Sequence, residues 1–217
     1  MWRTRTLPFP RLPVLGLLLG LCLPGGEVPG EAWARRGPAG VEAQGEVAAE
    51  RPMGSLAKLV WVELEGGRWE ADGRRFRCMG TWEGHPCWLR LGHGEVDVQA
   101  ALRESCNLAF LAWAKESVAR WTQGGGPTAA RQRLEAAFGP FLGGRLAPGE
   151  GPPPLGTFWV GDGDLLRSSP VDFLGWLEDP RREDLRRRCA RILGEGAAWA
   201  KSGTAATPTR GGTAAWR

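Results

Sequence analysis

Glycine and proline, 33 and 17 of the 217 residues, cut this chain into short pieces, and that punctuation limits what it can fold into. Gly66-Gly67, Gly124-Gly125-Gly126-Pro127 and the run from 139 to 163, with Pro152-Pro153-Pro154 inside it, each interrupt regular structure. Between the breaks lie brief helical and extended segments, with no internal repeat. A hydrophobic content of 42% supplies one packed core, and the length suits one domain.

The helical segments are bounded by recognisable signals. Ser55 is placed to cap a helix running to about Glu63 and ended by Gly66-Gly67. Residues 66–96 read as loops and a hairpin. Residues 97–121 have helical periodicity, with Asp97 as cap and a tight turn at Ser105-Cys106-Asn107, where both polar side chains compete for backbone hydrogen bonds. Thr128 to Phe138 forms a short amphipathic helix. Ser169-Pro170 starts another, running to about Glu178. A further helix spans Pro180 to Leu193. Ala197 to Ala206 then reads as a strand, Thr207 to Gly212 as a turn, and a second strand begins at Gly212.

The N-terminus has the layout of a secretory signal. Arg3, Arg5 and Arg11 precede an uncharged apolar run from Leu12 to Leu23, and Ala32-Trp33-Ala34 offers a cleavage site. Residues 1–34 are therefore expected to be a signal peptide, left uncleaved as an alternative that would hold the protein at a membrane. Residues 35–53 are expected to be a linker with little strand character. Removing residues 1–34 deletes three Arg and two Glu and takes the net charge from +4 to +3. That mild excess is dispersed among acids, as in Arg181 to Arg188, which argues against a nucleic-acid partner. The expected location is secreted or periplasmic.

Cysteine usage fits export. Cys78 and Cys87 share a Gly-rich stretch and are candidates for a local disulfide. A zinc site from Cys78, His85, Cys87 and His93, a set that includes both histidines of the chain, is the competing arrangement, but His85-x-Cys87 fits no common finger spacing. No metal or cofactor is assigned. Cys106 and Cys189 have no evident partner in the sequence.

The chain holds only three lysines, Lys58, Lys115 and Lys201, among 28 basic residues. Lysine can lose its proton when buried, whereas guanidinium cannot, so scarce lysines are candidate bases. Lys58 closes Ser55-x-x-Lys58 and Lys201 opens Lys201-Ser202-Gly203-Thr204, with Ser105-x-Asn107 between them in sequence. Each motif alone has an ordinary explanation: a helix start, a turn, a strand end. Lys115 falls in no motif and reads as a surface residue.

In this order the motifs resemble those of the serine penicillin-recognising family, which comprises D,D-transpeptidases, D,D-carboxypeptidases and serine β-lactamases. Cys87-Trp88, Gly92 to Val98, Ala101-Leu102 and Phe110 resemble the approach to the second motif in penicillin-binding transpeptidases. Val160-Gly161-Asp162-Gly163 with Ser169-Pro170 resembles a later segment of the same proteins. Phe158-Trp159, Leu166 and Phe173-Leu174, and the compact spacing, are also similar to class D β-lactamases. The resemblance spans about residues 50–216.

It implies an α+β fold, a helical cluster packed on a small antiparallel sheet. That sheet is expected to be incomplete, because the chain stops before the last strand and the C-terminal helix. Residues 54–217 would then be a partial penicillin-binding transpeptidase-like domain. The resemblance implies Ser55 as nucleophile, Lys58 as its base, and Ser105 as relay towards the leaving amine. Asn107, Lys201, Ser202, Gly203 and Thr204 would bind substrate. The implied substrate is a D-Ala-D-Ala stem peptide of peptidoglycan or a β-lactam. A class D-like β-lactamase, a non-turnover penicillin sensor and an inactive fragment are the alternatives.

Overall fold

The computed structural model describes residues 33–37, 39–143, 149, 151–153, 157–161, 165–193, 204–206 and 213–215. The chain begins with strands β1 (Trp33–Gly37) and β2 (Gly40–Gln44), paired antiparallel with Trp33 opposite Gln44. This hairpin occupies part of the segment expected to be a linker, and Gly40 at φ +130 turns it. Gly, Ala and Glu carry little strand propensity, so ladder pairing rather than residue preference makes these strands. The apolar run of the expected signal peptide lies outside the described residues. Among the described residues, no helix is long and apolar enough to cross a membrane.

Strand β3 (Arg51–Pro52) leads into a 3-10 turn, Gly54–Leu56, and then helix α1 (Ala57–Ala71). Ser55 sits inside that turn and does not cap: neither Met53 nor Leu56, the cap positions, makes a side-chain cap bond. Nor does α1 stop at Gly66-Gly67. A Cβ on Gly66 would lie 3.0 Å from Val62 Cγ1, and one on Gly67 3.0 Å from the Arg188 guanidinium. These glycines permit close packing instead of ending the helix, and the gain from burial outweighs their unfavourable helix propensity, about 1 kcal/mol each.

After α1, strands β4 (Arg75–Cys78) and β7 (Gly94–Asp97) pair antiparallel and enclose a smaller pair, β5 (Thr81–Trp82) and β6 (His85–Pro86). Helix α2 (Val98–Arg103) starts at Asp97, whose carboxylate accepts from the Ala100 N–H at 2.8 Å. Helix α3 (Asn107–Leu142) follows the expected turn and is broken at Gly126 (φ 78, ψ 171), immediately before Pro127. Gly143 ends it in the left-handed region.

Strand β8 (Arg167–Ser168) pairs with β3. Ser169 then caps helix α4 (Pro170–Glu178), accepting from the Asp172 N–H, with Pro170 in the first helical position. Helix α5 (Glu183–Leu193) completes the helical cluster. The last elements are β9 (Thr204–Ala206) and β10 (Thr213–Ala215), an antiparallel pair with Thr204 opposite Ala215. The class is α+β, with every strand pairing among the described residues antiparallel and two-stranded.

Tryptophan fills the centre. Trp61 of α1 contacts Trp69 at 6.0 Å, Trp121 at 6.1 Å and Trp159 at 5.3 Å between ring centroids. Such pairs each contribute about 0.5–1.5 kcal/mol beyond area burial. Two of these indole N–H groups find buried acceptors: Trp61 donates to the Trp159 carbonyl at 2.8 Å, and Trp121 to Glu65 at 2.9 Å. Buried Glu65 also accepts from Arg120 at 2.6 Å, so its charge is paired. This rigid core holds the first turn of α1 against the start of α3.

Candidate active site

Four side chains from two short segments meet where α1 and α3 begin. Lys58 is fully buried. Its Nζ lies 2.6 Å from Ser55 Oγ, 3.3 Å from Ser105 Oγ and 2.6 Å from Asn107 Oδ1. Ser105 Oγ donates to Ser55 Oγ at 2.7 Å, which closes a triangle of two hydroxyls and one amine. Ser55, Ser105 and Asn107 are half-buried, so the polar cluster has a dry floor and a wetter rim.

Local geometry explains the meeting. Ser55 and Lys58 are three residues apart on a continuous helical path, and that spacing puts both on one face. Phe110 of α3 lies under the amine, 5.9 Å from ring centroid to Nζ. Ser105 has φ +59, a conformation uncommon for a non-glycine residue and often found at functional positions. It ends α2 and turns the chain so that Ser105 and Asn107 both face Lys58.

The Ser55 turn is pinned from behind by backbone. The Gly54 N–H donates to the Gly161 carbonyl at 2.9 Å, and the Met53 N–H to the Leu166 carbonyl at 3.0 Å. Gly161 has φ +78, and a Cβ there would lie 2.2 Å from the Gly54 carbonyl oxygen. The Val160-Gly161 segment quoted for the resemblance thus has a physical task, to seat the turn that carries Ser55.

Lys201, Ser202 and Gly203 lie outside the described residues. Thr204 opens β9, and β9 contacts the Ser55 turn. Ser55, Lys58, Ser105 and Asn107 are brought together, and the strand downstream of Lys201-Ser202-Gly203 borders them. The other described lysine, Lys115, which falls in no motif, is elsewhere: it pairs with Glu83 at 2.6 Å on the surface.

The expected Cys78–Cys87 disulfide is not formed; Cys78, Cys87, Cys106 and Cys189 are all free thiols. A third sulfur lies beside them. Cys78, Cys87 and Cys106 converge with His93, one potential ligand atom from each lying within 4.8 Å of the others. His85, which the sequence also offered, stays outside this group on β6. Burial pushes the Cys78 thiol up, but the His93 ring and backbone hydrogen bonds at Gly80 and His93 outweigh it and bring Cys78 down to about 7. Burial pushes Cys106 up to about 12. Cys106 was hidden in the sequence because it lies inside a motif recognised by its serine and asparagine.

No family model and no curated protein matches the chain. Among solved structures, it is similar to a chain in the crystal structure of Pseudomonas aeruginosa PBP2 in complex with WCK 5153, at 18% identity and a TM-score of 0.40. The match covers 58% of this chain and 33% of that one, so the chain spans about a third of its length.

Proposed function

We propose that this protein is an exported serine acyl-transfer enzyme of the penicillin-binding type, acting on D-Ala-D-Ala ends of peptidoglycan peptides and acylated by β-lactams. The observation that carries this is the Ser55–Lys58–Ser105 triangle, with a fully buried amine 2.6 Å from a hydroxyl. A nucleophile needs a base within hydrogen-bond reach, and the base needs a third group to orient it. Lys58 supplies the base and Asn107 Oδ1 the orienting contact.

Catalysis requires Lys58 in its neutral form, which burial of an amine favours. Its 2.6 Å contact then runs from the Ser55 hydroxyl to the Nζ lone pair. Ser55 Oγ attacks the peptide carbonyl as its proton passes to Lys58. When the tetrahedral intermediate collapses, the C–N bond breaks and Ser105 relays the proton to the departing amine. An incoming amine or water then cleaves the Ser55 ester by the reverse path. Lys201 and Ser202 would bind the terminal carboxylate, and Gly203 would let substrate approach the strand. The Ser55 and Thr204 N–H groups would hold the oxyanion, each donor contributing about 2.7–4 kcal/mol to the transition state.

Labelling with a fluorescent penicillin tests this. The expected result is a covalent adduct on the wild-type chain that is absent from Ser55→Ala. An adduct that persists for hours supports the transpeptidase type, whereas one lost within minutes points to a β-lactamase. Absence of any Ser55-dependent adduct in a folded chain overturns the acyl-transfer function. Cell fractionation tests export: the protein belongs outside the cytoplasmic membrane, free or held to it by its N-terminal segment.

A further inference from the structure

Next to the hydroxyl-amine cluster, on the other side of the Ser105-Cys106-Asn107 turn, three thiols and an imidazole converge without a ligand role in acyl transfer. Cys78 ends β4 and Cys87 follows β6, both buried. His93 precedes β7, and Cys106 is the residue before α3, fully buried and making no side-chain cap bond. The ligand atoms lie within 4.8 Å of one another. A tetrahedral zinc shell with Zn–S near 2.3 Å has edges of about 3.8 Å, so these positions need to close by about 1 Å at most.

The imidazole points to what is missing. His93 Nδ1 meets Cys87 Sγ at 3.4 Å, while His93 Nε2 is buried with no hydrogen-bond partner among the described residues. A buried polar atom left unpaired is costly, and thiols are weak donors and weak acceptors. A cation held by the cluster replaces these weak thiol contacts with ligation, and Nδ1, which faces Cys87, is the nitrogen placed to take part. Soft sulfur with one nitrogen, four ligands and a buried setting select zinc over magnesium or calcium.

We infer that Cys78, Cys87, His93 and Cys106 form a closed, structural zinc site that ties the β4–β7 hairpin to the turn carrying Ser105 and Asn107. Binding exchanges thiol protons for metal–sulfur bonds and releases those protons to solvent, with no change of oxidation state. The site takes four protein ligands and leaves no position for water, so it acts on the turn's geometry and not on substrate. It does not depend on Ser55 being a nucleophile.

The test uses the full chain, purified under reductant and offered Zn²⁺ alone, with bound metal counted by mass spectrometry. One zinc per chain is expected. Co²⁺ in its place should give the visible bands of a tetrahedral, thiolate-rich site. Cys78→Ser and Cys106→Ser should each weaken zinc binding by more than the roughly 10–100-fold that second-shell changes cost. Cys189→Ser, which removes a buried thiol elsewhere, should keep one equivalent. His93→Cys guards against misfolded serine variants: it should retain metal and shift the cobalt spectrum towards four sulfurs. The inference is overturned if the folded wild-type chain binds no stoichiometric zinc. It is equally overturned if Cys189→Ser loses the metal as Cys106→Ser does, or if His93→Cys leaves the cobalt spectrum unchanged.

Discussion

Two polar clusters share the Ser105-Cys106-Asn107 turn, and they are satisfied in different ways. On one side, Ser55, Lys58, Ser105 and Asn107 satisfy one another through hydrogen bonds of 2.6 to 3.3 Å. On the other, the ligand atoms of Cys78, Cys87, His93 and Cys106 lie within 4.8 Å of one another, more loosely gathered, and His93 Nε2 is left orphaned. The first cluster is complete with the chain's own atoms and is arranged to exchange protons. The second is held by weaker thiol contacts, the donor set inferred above to take a cation. Alternate residues of one tight turn serve the two, so the turn is a partition with chemistry on both faces.

Breaking one face while sparing the other is the sharpest test of that contrast. Ser55→Ala should lower the penicillin acylation rate by on the order of 10⁶-fold, as removal of a serine nucleophile does elsewhere, yet leave zinc stoichiometry unchanged. Kinetics of dye labelling and metal counting on the same sample decide it. Gly161→Ala should come next. Its Cβ would meet the Gly54 carbonyl at 2.2 Å in backbone that disfavours any side chain, so a loss of about 2–4 kcal/mol is expected in urea unfolding. Acylation should fall with it.

Metal removal probes the shared wall. Treating the folded protein with a chelator should slow acylation roughly 10-fold or more, because Ser105 and Asn107 flank a ligand and lose their fixed geometry. An unchanged rate would make the two faces mechanically independent. A milder effect comes from Cys189, a buried thiol remote from both clusters and raised by burial to about 12. A raised folded value means the native state favours the protonated thiol. Its stabilising contribution is complete below the unfolded value near 9 and is lost as pH climbs from there to about 12. At pH 10.5 the loss should be about 2 kcal/mol, and Cys189→Ala should flatten the decline in stability measured between pH 8 and 10.5.

The smallest expected effect contrasts Lys115 with Lys58. Lys115 is half exposed, pairs with Glu83 and lies 5.5 Å from the Trp82 ring centroid. Lys115→Ala should change stability by less than about 1 kcal/mol and leave acylation alone. Lys58→Ala should eliminate it. Measured side by side, they separate a lysine kept for chemistry from one kept for solubility.

What could be read from sequence follows the range over which each feature is encoded. The Ser55–Lys58 pair is local, three residues on a helical path, and so was legible. The turn at Ser105-Cys106-Asn107 was legible too, because serine and asparagine compete with helix hydrogen bonds. The break near Gly126 and the Ser169 cap are equally local. The sulfur cluster was legible only in part: Cys78, Cys87 and His93 are close enough in sequence to suggest a zinc set, but His85 stays outside it, Cys106 joins from a helix start, and two nearby cysteines in an exported chain suggest a bridge. Gly66 and Gly67 misled for a related reason. Locally they terminate helices, but Arg188, far along the chain, occupies the space beside them. The β1–β2 hairpin was missed because its residues carry little intrinsic preference for strands.

The seat of the Ser55 turn also bears on how this chain can change over generations. Gly54 and Gly161 meet main chain to main chain, so position 161 cannot accept a side chain while residue 54 stays in place. Most contacts in a protein drift through neutral intermediates, one substitution preparing the next. Here no intermediate exists, since a Cβ at 161 collides with a carbonyl oxygen that every amino acid possesses. Compensation at 54 is therefore ruled out, and only a remodelled loop could relieve the clash. The nucleophile's address is written in the backbone, and one hydrogen atom at residue 161 keeps it legible to selection.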